Sequence, residues 1–192
     1  RMVLTYALPA QGLELGFEPA DFTQVNPGIN RSMVSQALAW LQPEALDGVL
    51  DLFCGMGNFT LPVAKLQARV LGVEGSASAV QRAEANARAS GLSHCEFEVA
   101  DLNNEATCRK YLGRGYEGLL LDPPRAGAAA AMAALDVHKP RRIVYVSCSP
   151  ASLARDLDTL VNQHGYSLLK VGIMDMFPHT NHVESMALLG RE

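Results

Sequence analysis

The sequence predicts a doubly wound α/β domain, a mostly parallel sheet with helices on both faces and a terminal antiparallel strand. Three observations carry this. From Val49 onward, short apolar runs recur without polar–apolar alternation, as strands covered on both faces require. The stretches between them have helical character, and two end in Gly, the residue that takes a left-handed conformation most readily. After Gly165, two strand-like runs follow one another with no helix between them, which predicts an antiparallel pair at one side of the sheet.

Taken in order, residues 1–25, where Leu13, Leu15 and Phe17 alternate, read as a hairpin outside the core, a remnant of a preceding domain or linker. The main domain is expected over residues 26–192. Arg31–Leu41 places Met33, Val34, Ala37, Leu38 and Leu41 on one helical face. The expected parallel strands are Val49–Phe53, Arg69–Val73, Glu96–Val99, Gly118–Leu121 and Ile143–Val146. The helices are Asn58–Gln67, Ser78–Ser90 closed by Gly91, and Ser152–His164 closed by Gly165. Ser167–Met174 and Val183–Leu189 form the final pair, joined by a loop that contains Phe177–His182.

Composition sets bounds. A chain of 192 residues can bury about 70% of its unfolded surface, and 48% hydrophobic against 19% charged residues excludes a disordered chain. No apolar run approaches the ~20 residues that span a bilayer, and no signal-peptide pattern opens the sequence. The four cysteines stand 41, 13 and 40 positions apart, which fits neither a zinc pattern nor a small disulfide framework. A reduced, cytoplasmic compartment is expected, with no membrane and no obligate protein partner. The net charge of −4 argues against a self-sufficient nucleic-acid binder. The first residue is Arg1 rather than Met, so the chain is expected to be a piece of something longer.

Chemistry concentrates at the ends of the strands. The first βα junction reads Asp51-Leu52-Phe53-Cys54-Gly55-Met56-Gly57-Asn58-Phe59-Thr60, with two glycines for a tight turn and close backbone approach. A third glycine, needed for a pyrophosphate cradle, is replaced by Thr60. Glu74 ends the next strand, where a carboxylate can accept both hydroxyls of a ribose. Asp101 ends the third, where it can accept an adenine amino hydrogen. An acid with Gly-x-Gly, then Glu, then Asp, on three successive strand ends, resembles the S-adenosylmethionine site of Rossmann-like methyltransferases.

The fourth strand runs into Asp122-Pro123-Pro124-Arg125-Ala126-Gly127, whose prolines force a rigid, extended exit. The fifth ends in Tyr145-Val146-Ser147-Cys148-Ser149-Pro150. Cys148 stands just before a helix N-terminus, which is expected to lower its thiol pKa, with Arg125 and Arg155 adding to that field. Cys54, Cys95 and Cys108 read as small buried hydrophobes. His179, His182 and Glu184 follow in the last loop, at a spacing that matches no zinc site. A Cys–His hydrolase built on Cys148 would leave the adenosine-type elements without a role.

Together these strings resemble the RNA uracil-C5 methyltransferase family. The matching segments are Phe22–Asn26, Asp51–Thr60, Asp122–Gly127, Tyr145–Cys148, and Phe177–Thr180 with His182–Glu184, in family order and nearly over the whole chain. Within the family they are most similar to the branch that acts on 23S ribosomal RNA. The resemblance implies a class I S-adenosylmethionine-dependent methyltransferase fold with S-adenosylmethionine as cofactor and RNA as partner. It implies Gln24, Phe53, Asn58, Glu74, Asp101 and Asp122 around cofactor and base, Cys148 as nucleophile and Glu184 as base. It further implies an N-terminal RNA-binding domain outside these residues, able to carry an iron–sulfur cluster in the ribosomal branch; no metal site is expected within the 192 residues.

One departure stands out. Family members usually read Ser-Cys-Asn-Pro where this chain has Ser149, and Ser-Cys-Ser-Pro is nearer to RNA cytosine-C5 methyltransferases. Those enzymes place a second cysteine after the proline of the fourth-strand motif, where this chain has Pro124 or Arg125. Uracil-C5 methylation is therefore favoured over cytosine-C5 methylation and over a cofactor-binding fragment that is inactive alone.

Overall fold

The computed structural model describes residues 4–67, 69–176 and 183–191; His179 and His182 lie outside them, as does most of the loop predicted between the last two strands. The chain runs through β1 (Leu4–Leu8), β2 (Leu13–Phe17), α1 (Pro27–Leu41), β3 (Val49–Leu52), α2 (Thr60–Ala64), β4 (Val70–Glu74), α3 (Ala77–Ala89) and β5 (Cys95–Val99). It continues through α4 (Glu105–Leu112), β6 (Gly118–Leu121), α5 (Ala129–Ala133), β7 (Arg142–Ser147), α6 (Pro150–Asp158), β8 (Ser167–Met174) and β9 (Glu184–Gly190). The main sheet has the order β5-β4-β3-β6-β7-β9-β8. Strands β3 to β7 pair in parallel, whereas β9 runs antiparallel to both β7 and β8. The chain winds outward from β3 to β5, then returns to β6 beside β3. That reversal leaves a crevice at the carboxyl ends of β3 and β6, the usual ligand position in open α/β sheets.

Alternation along each strand splits the core into two layers. Leu50, Leu52, Leu119 and Leu121 face one side with Tyr111 and Leu112 of α4, Met132 of α5 and Leu153 of α6. Val49, Leu120, Val144 and Val146 face the other side, against Met33, Val34, Ala37 and Leu41 of α1. Among the described residues no helix is long and apolar enough to cross a membrane.

Three sequence expectations change. The hairpin is present but does not lie outside the core: Leu8 and Leu15 are fully buried and share a layer with α1 and β3. It is tied down on α3, where the Asn86 amide accepts from Gly16 N–H at 2.8 Å and donates to the Gly16 carbonyl at 3.1 Å. Arg82, one turn earlier, pairs with Glu18 at 2.7 Å and Asp21 at 3.1 Å. Helices α4 and α5 were not foreseen, because they are short. Helix α6 begins two residues earlier than the apolar spacing suggests, with Pro150 in its first turn, where a missing N–H is harmless. Its N-cap is Ser149, whose Oγ accepts from Ser152 N–H. Ser and Asn are equivalent N-caps, so the departure at Ser149 leaves the helix start intact.

Candidate active site

A cleft of about 760 Å³ opens at the reversal of the sheet. All eight residues singled out from the sequence line it: Gln24, Phe53, Asn58 and Glu74 with Asp101, Asp122, Cys148 and Glu184. They arrive from separate elements. Phe53, Glu74, Asp101, Asp122 and Cys148 follow the carboxyl ends of β3 to β7 in turn. Gln24 comes from the segment that Arg82 holds against α3, and Glu184 opens β9.

The first turn explains why β3 needs its glycines. Phe53 has φ +65° in the left-handed region, an uncommon state for a bulky residue, held by Phe53 N–H and Cys54 N–H both donating to the Val73 carbonyl. Gly55 follows at φ +54°, with no atom within 4 Å of where a Cβ would stand, so backbone there borders open cleft that a side chain would fill. Glu74 closes the turn from β4. Its Oε2 accepts from Gly55 N–H at 3.1 Å and its Oε1 from Ser76 N–H at 2.9 Å. A carboxylate offers about four acceptor positions, so Glu74 is oriented and still has capacity for a ligand's hydroxyls. Asp101 is oriented likewise, its Oδ1 accepting from Asn103 N–H at 2.9 Å.

Asn58 is fixed by groups the sequence did not single out. Its amide exchanges two hydrogen bonds with that of Asn30 on α1, at 2.9 and 2.8 Å, and its Oδ1 also accepts from the Tyr6 hydroxyl at 2.7 Å. Tyr6 lines the cleft. Its signal was legible: Tyr6 and Leu8 lie two apart in β1 and so share the inward face. Asn30 gave none, since a polar residue on a helix is ordinarily solvated, yet it is 2% exposed.

The other half of the cleft holds Asp122, Cys148 and Glu184, with Asp51 buried nearby on β3 rather than in its lining. Asp51 at the end of β3 is 1% exposed, and its Oδ2 accepts from Thr60 Oγ1 at 2.6 Å. Burial raises its pKa to about 7, against the hydrogen bond from Thr60 and helped by the charge of Glu74. Burial likewise raises Glu184, 4% exposed, to about 7. Asp122 is pushed well above the usual carboxylate range by burial first, then by Glu184 and Asp51.

Cys148 corrects an expectation. Its thiol pKa is raised rather than lowered, by burial first and then by the negative Glu184 and Asp122; Arg125 opposes this. The expected help from Arg155 does not reach it, because that guanidinium is spent on Asp156 and the Ala126 carbonyl. The remaining cysteines match their reading as hydrophobes: burial raises Cys54 well above its ordinary value, Cys95 to about 12 and Cys108 to about 11.

Cys148 and Glu184 are brought together by strand register. In the antiparallel pair of β7 and β9, Ser147 lies opposite Ser185. Cys148 therefore leaves β7 where Glu184 enters β9, and both face the cleft beside Asp122. Among the described residues no group of three or more His, Cys, Asp or Glu side chains is arranged to hold a metal ion.

The chain is similar to known proteins over nearly its whole length. Residues 5–192 match the family described as tRNA (Uracil-5-)-methyltransferase. The 23S rRNA (uracil(1939)-C(5))-methyltransferase RlmD of Alkalilimnicola ehrlichii is 53% identical over 189 residues, 98% of this chain and 42% of that protein. The protein of the same name from Hahella chejuensis is 54% identical over 190 residues, 97% of this chain and 42% of the relative. This chain thus spans less than half the length of these relatives. Among solved structures, the tRNA (uracil-54, C5)-methyltransferase of Pyrococcus abyssi in complex with S-adenosyl-L-homocysteine superposes with a TM-score of 0.82 at 31% identity, covering 98% of this chain and 44% of that one. The fold is that of the S-adenosylmethionine-dependent methyltransferases.

Proposed function

The chain belongs to the tRNA (uracil-5-)-methyltransferase family, and from that premise we propose that it is the catalytic part of an enzyme that methylates C5 of a uridine in 23S ribosomal RNA, with S-adenosylmethionine as methyl donor and Cys148 as covalent catalyst. The observation that carries the reading is the meeting of Cys148 with Glu184 at one end of the β7–β9 pair, inside the cleft that also holds Glu74 and Asp101. The residues present fit the cofactor: Gly55 leaves open space at the turn, and Glu74 and Asp101 are oriented acceptors for ribose and adenine. When bound, S-adenosylmethionine supplies an electrophilic methyl group.

The need for two further groups follows from the substrate. C5 of uracil is too weak a nucleophile to be methylated directly. Addition of the Cys148 thiolate to C6 pushes the ring's π electrons onto O4, and the resulting enolate is nucleophilic at C5. Asp122 borders the ring on the β6 side and positions it. After methyl transfer C5 still carries its proton. Glu184 removes that proton, the C5–C6 double bond re-forms and the Cys148 sulfur leaves. The base must first be drawn out of its stack, which costs a few kcal/mol.

Nucleoside analysis of RNA incubated with methyl-labelled cofactor tests the assignment. 5-Methyluridine is the expected product, whereas 5-methylcytidine or an unmodified pool would overturn it. The cofactor half is tested separately: Glu74→Ala is expected to weaken S-adenosylhomocysteine binding by roughly 1.5–3 kcal/mol, the range for hydrogen bonds to a charged group. Unchanged affinity in calorimetry would remove Glu74 from the site.

A further inference from the structure

The loop that carries Asp122 and the loop that carries Cys148 leave neighbouring strands, and neither is held there by the sheet ladder. What joins them is a buried node on α6, centred on Asp156 in its last turn. Asp156 is 1% exposed and does not border the cleft. Its Oδ2 accepts from the Tyr145 hydroxyl on β7 at 2.5 Å and from Ala128 N–H, just past the Asp122 loop, at 2.8 Å. Its Oδ1 accepts from Arg155 Nε at 2.9 Å and Nη2 at 2.8 Å, and that same guanidinium donates to the Ala126 carbonyl at 2.8 Å. One turn earlier, Ser152 Oγ donates to the Arg125 carbonyl. The carbonyls of Arg125 and Ala126 and the amide of Ala128 are thus all held by α6.

The loop is shaped to accept this grip. Gly127 sits at φ +81°, and a Cβ on it would stand 2.4 Å from Arg155 Nη2 and 2.7 Å from Asp156 Oδ2. Only glycine leaves room for both at that point. A buried carboxylate under a half-exposed guanidinium is not the most stabilising way to pack a helix on a strand, since apolar residues of similar volume often do as well or better. What it provides is direction: one carboxylate accepts at once from a hydroxyl on β7, an amide of the loop and the guanidinium that also holds the Ala126 carbonyl.

We propose that Asp156 is a positioning residue, which clamps the loop after β6 to α6 and thereby sets Asp122 and Arg125 against Cys148. The proposal rests on the reading of Cys148 as nucleophile and deepens it. Displacing a reacting or orienting group by about 1 Å can cost on the order of 100-fold in rate. Loss of the clamp therefore acts on addition to C6. It leaves the ribose and adenine acceptors on β4 and β5 in place, on the far side of β3.

The test uses RNA carrying 5-fluorouridine, whose C5 fluorine cannot be abstracted, so that the adduct accumulates and is counted on a denaturing gel. Asp156→Asn is expected to slow adduct formation by about 10- to 100-fold, while the S-adenosylhomocysteine dissociation constant moves by less than about threefold. Gly127→Ala, which displaces the same loop while keeping Asp156, is expected to show the same split. Tyr145→Phe removes a single hydrogen bond and serves as the milder probe should Asp156→Asn not fold. An adduct rate at the wild-type level in any of these folded variants overturns the proposal. A loss of cofactor affinity as large as the loss of rate also overturns it, because it reports a general loosening. If wild-type protein itself forms no adduct, the nucleophile reading fails and the clamp with it, an outcome distinct from failure of the variants alone.

Discussion

Glu184→Gln is expected to leave protein covalently joined to methylated RNA and stable on a denaturing gel, with turnover reduced by about 10²- to 10⁴-fold, the usual contribution of a positioned base. Cys148→Ala is expected to give neither adduct nor product. The two substitutions separate because the groups act at different stages. The thiolate must add before C5 can accept a methyl group, whereas the carboxylate is needed only to remove the C5 proton afterwards. Gln keeps the shape of Glu184 and cannot take the proton, so elimination stops with the sulfur still on C6. Because burial raises Glu184 to about 7, wild-type turnover is also expected to climb as pH passes through 7. Burial and the two carboxylates raise the Cys148 thiol as well, so the climb continues into the alkaline range. Wild-type turnover by Glu184→Gln, with RNA and cofactor bound normally, would assign the base elsewhere.

The ligand-free protein should gain stability when acidified from pH 8 to about 5.5, by on the order of 4 kcal/mol. The sign follows from which form the fold favours. Asp51 and Glu184 are both raised to about 7 by burial, so the folded state holds protons that the unfolded chain releases near its ordinary values of about 4. Their stabilisation is complete below those unfolded values and is lost as pH rises through 7. Over pH 5.5 to 8 each contributes about 2 kcal/mol. Asp122, raised well above its usual range, acts in the same direction. Glu98 and Asp136 are pulled below their ordinary values, chiefly by hydrogen bonds from Arg114 and Arg109 respectively, and titrate outside this window. Denaturant midpoints measured across pH 5.5–8 check this; a midpoint that rises with pH would contradict the burial of these acids. Glu184→Gln is expected to remove about half of the effect.

Most of the sheet was legible because a strand buried on both faces has little choice but to be apolar: Val49-Leu50, Leu119-Leu120-Leu121 and Ile143-Val144 declare themselves. Asn58, Glu74 and Asp122 were legible because each stands beside glycine or proline, whose backbone roles are few, whereas Gln24 and Glu184 rested on the family resemblance. What escaped were interactions between distant segments. Nothing local marks Asn30 as the partner of Asn58, 28 positions away, or Asn86 as the dock for Gly16, 70 positions away. The thiol of Cys148 escaped for a different reason. Its sequence neighbours suggest a positive helix end, but burial, reinforced by the carboxyls of Glu184 and Asp122, raises the thiol instead.

The sheet order also sets when the proposed site becomes complete during synthesis. Strand β9 follows β8 along the chain yet lies between β7 and β8, so β8 has no sheet neighbour until β9 has emerged and slotted into place. Until then Leu169, Val171 and Ile173, more than half exposed even in the finished fold, belong to an unpaired apolar strand, the kind of segment most prone to non-native association. A nascent chain that stops before residue 184 already holds Glu74, Asp101 and Cys148, but not Glu184. Insertion of one strand thus completes the sheet, pairs the inner edge of β8 and delivers Glu184 to the cleft in a single event; under the function proposed above, a half-made chain would carry the means to attach itself to RNA and lack the means to let go.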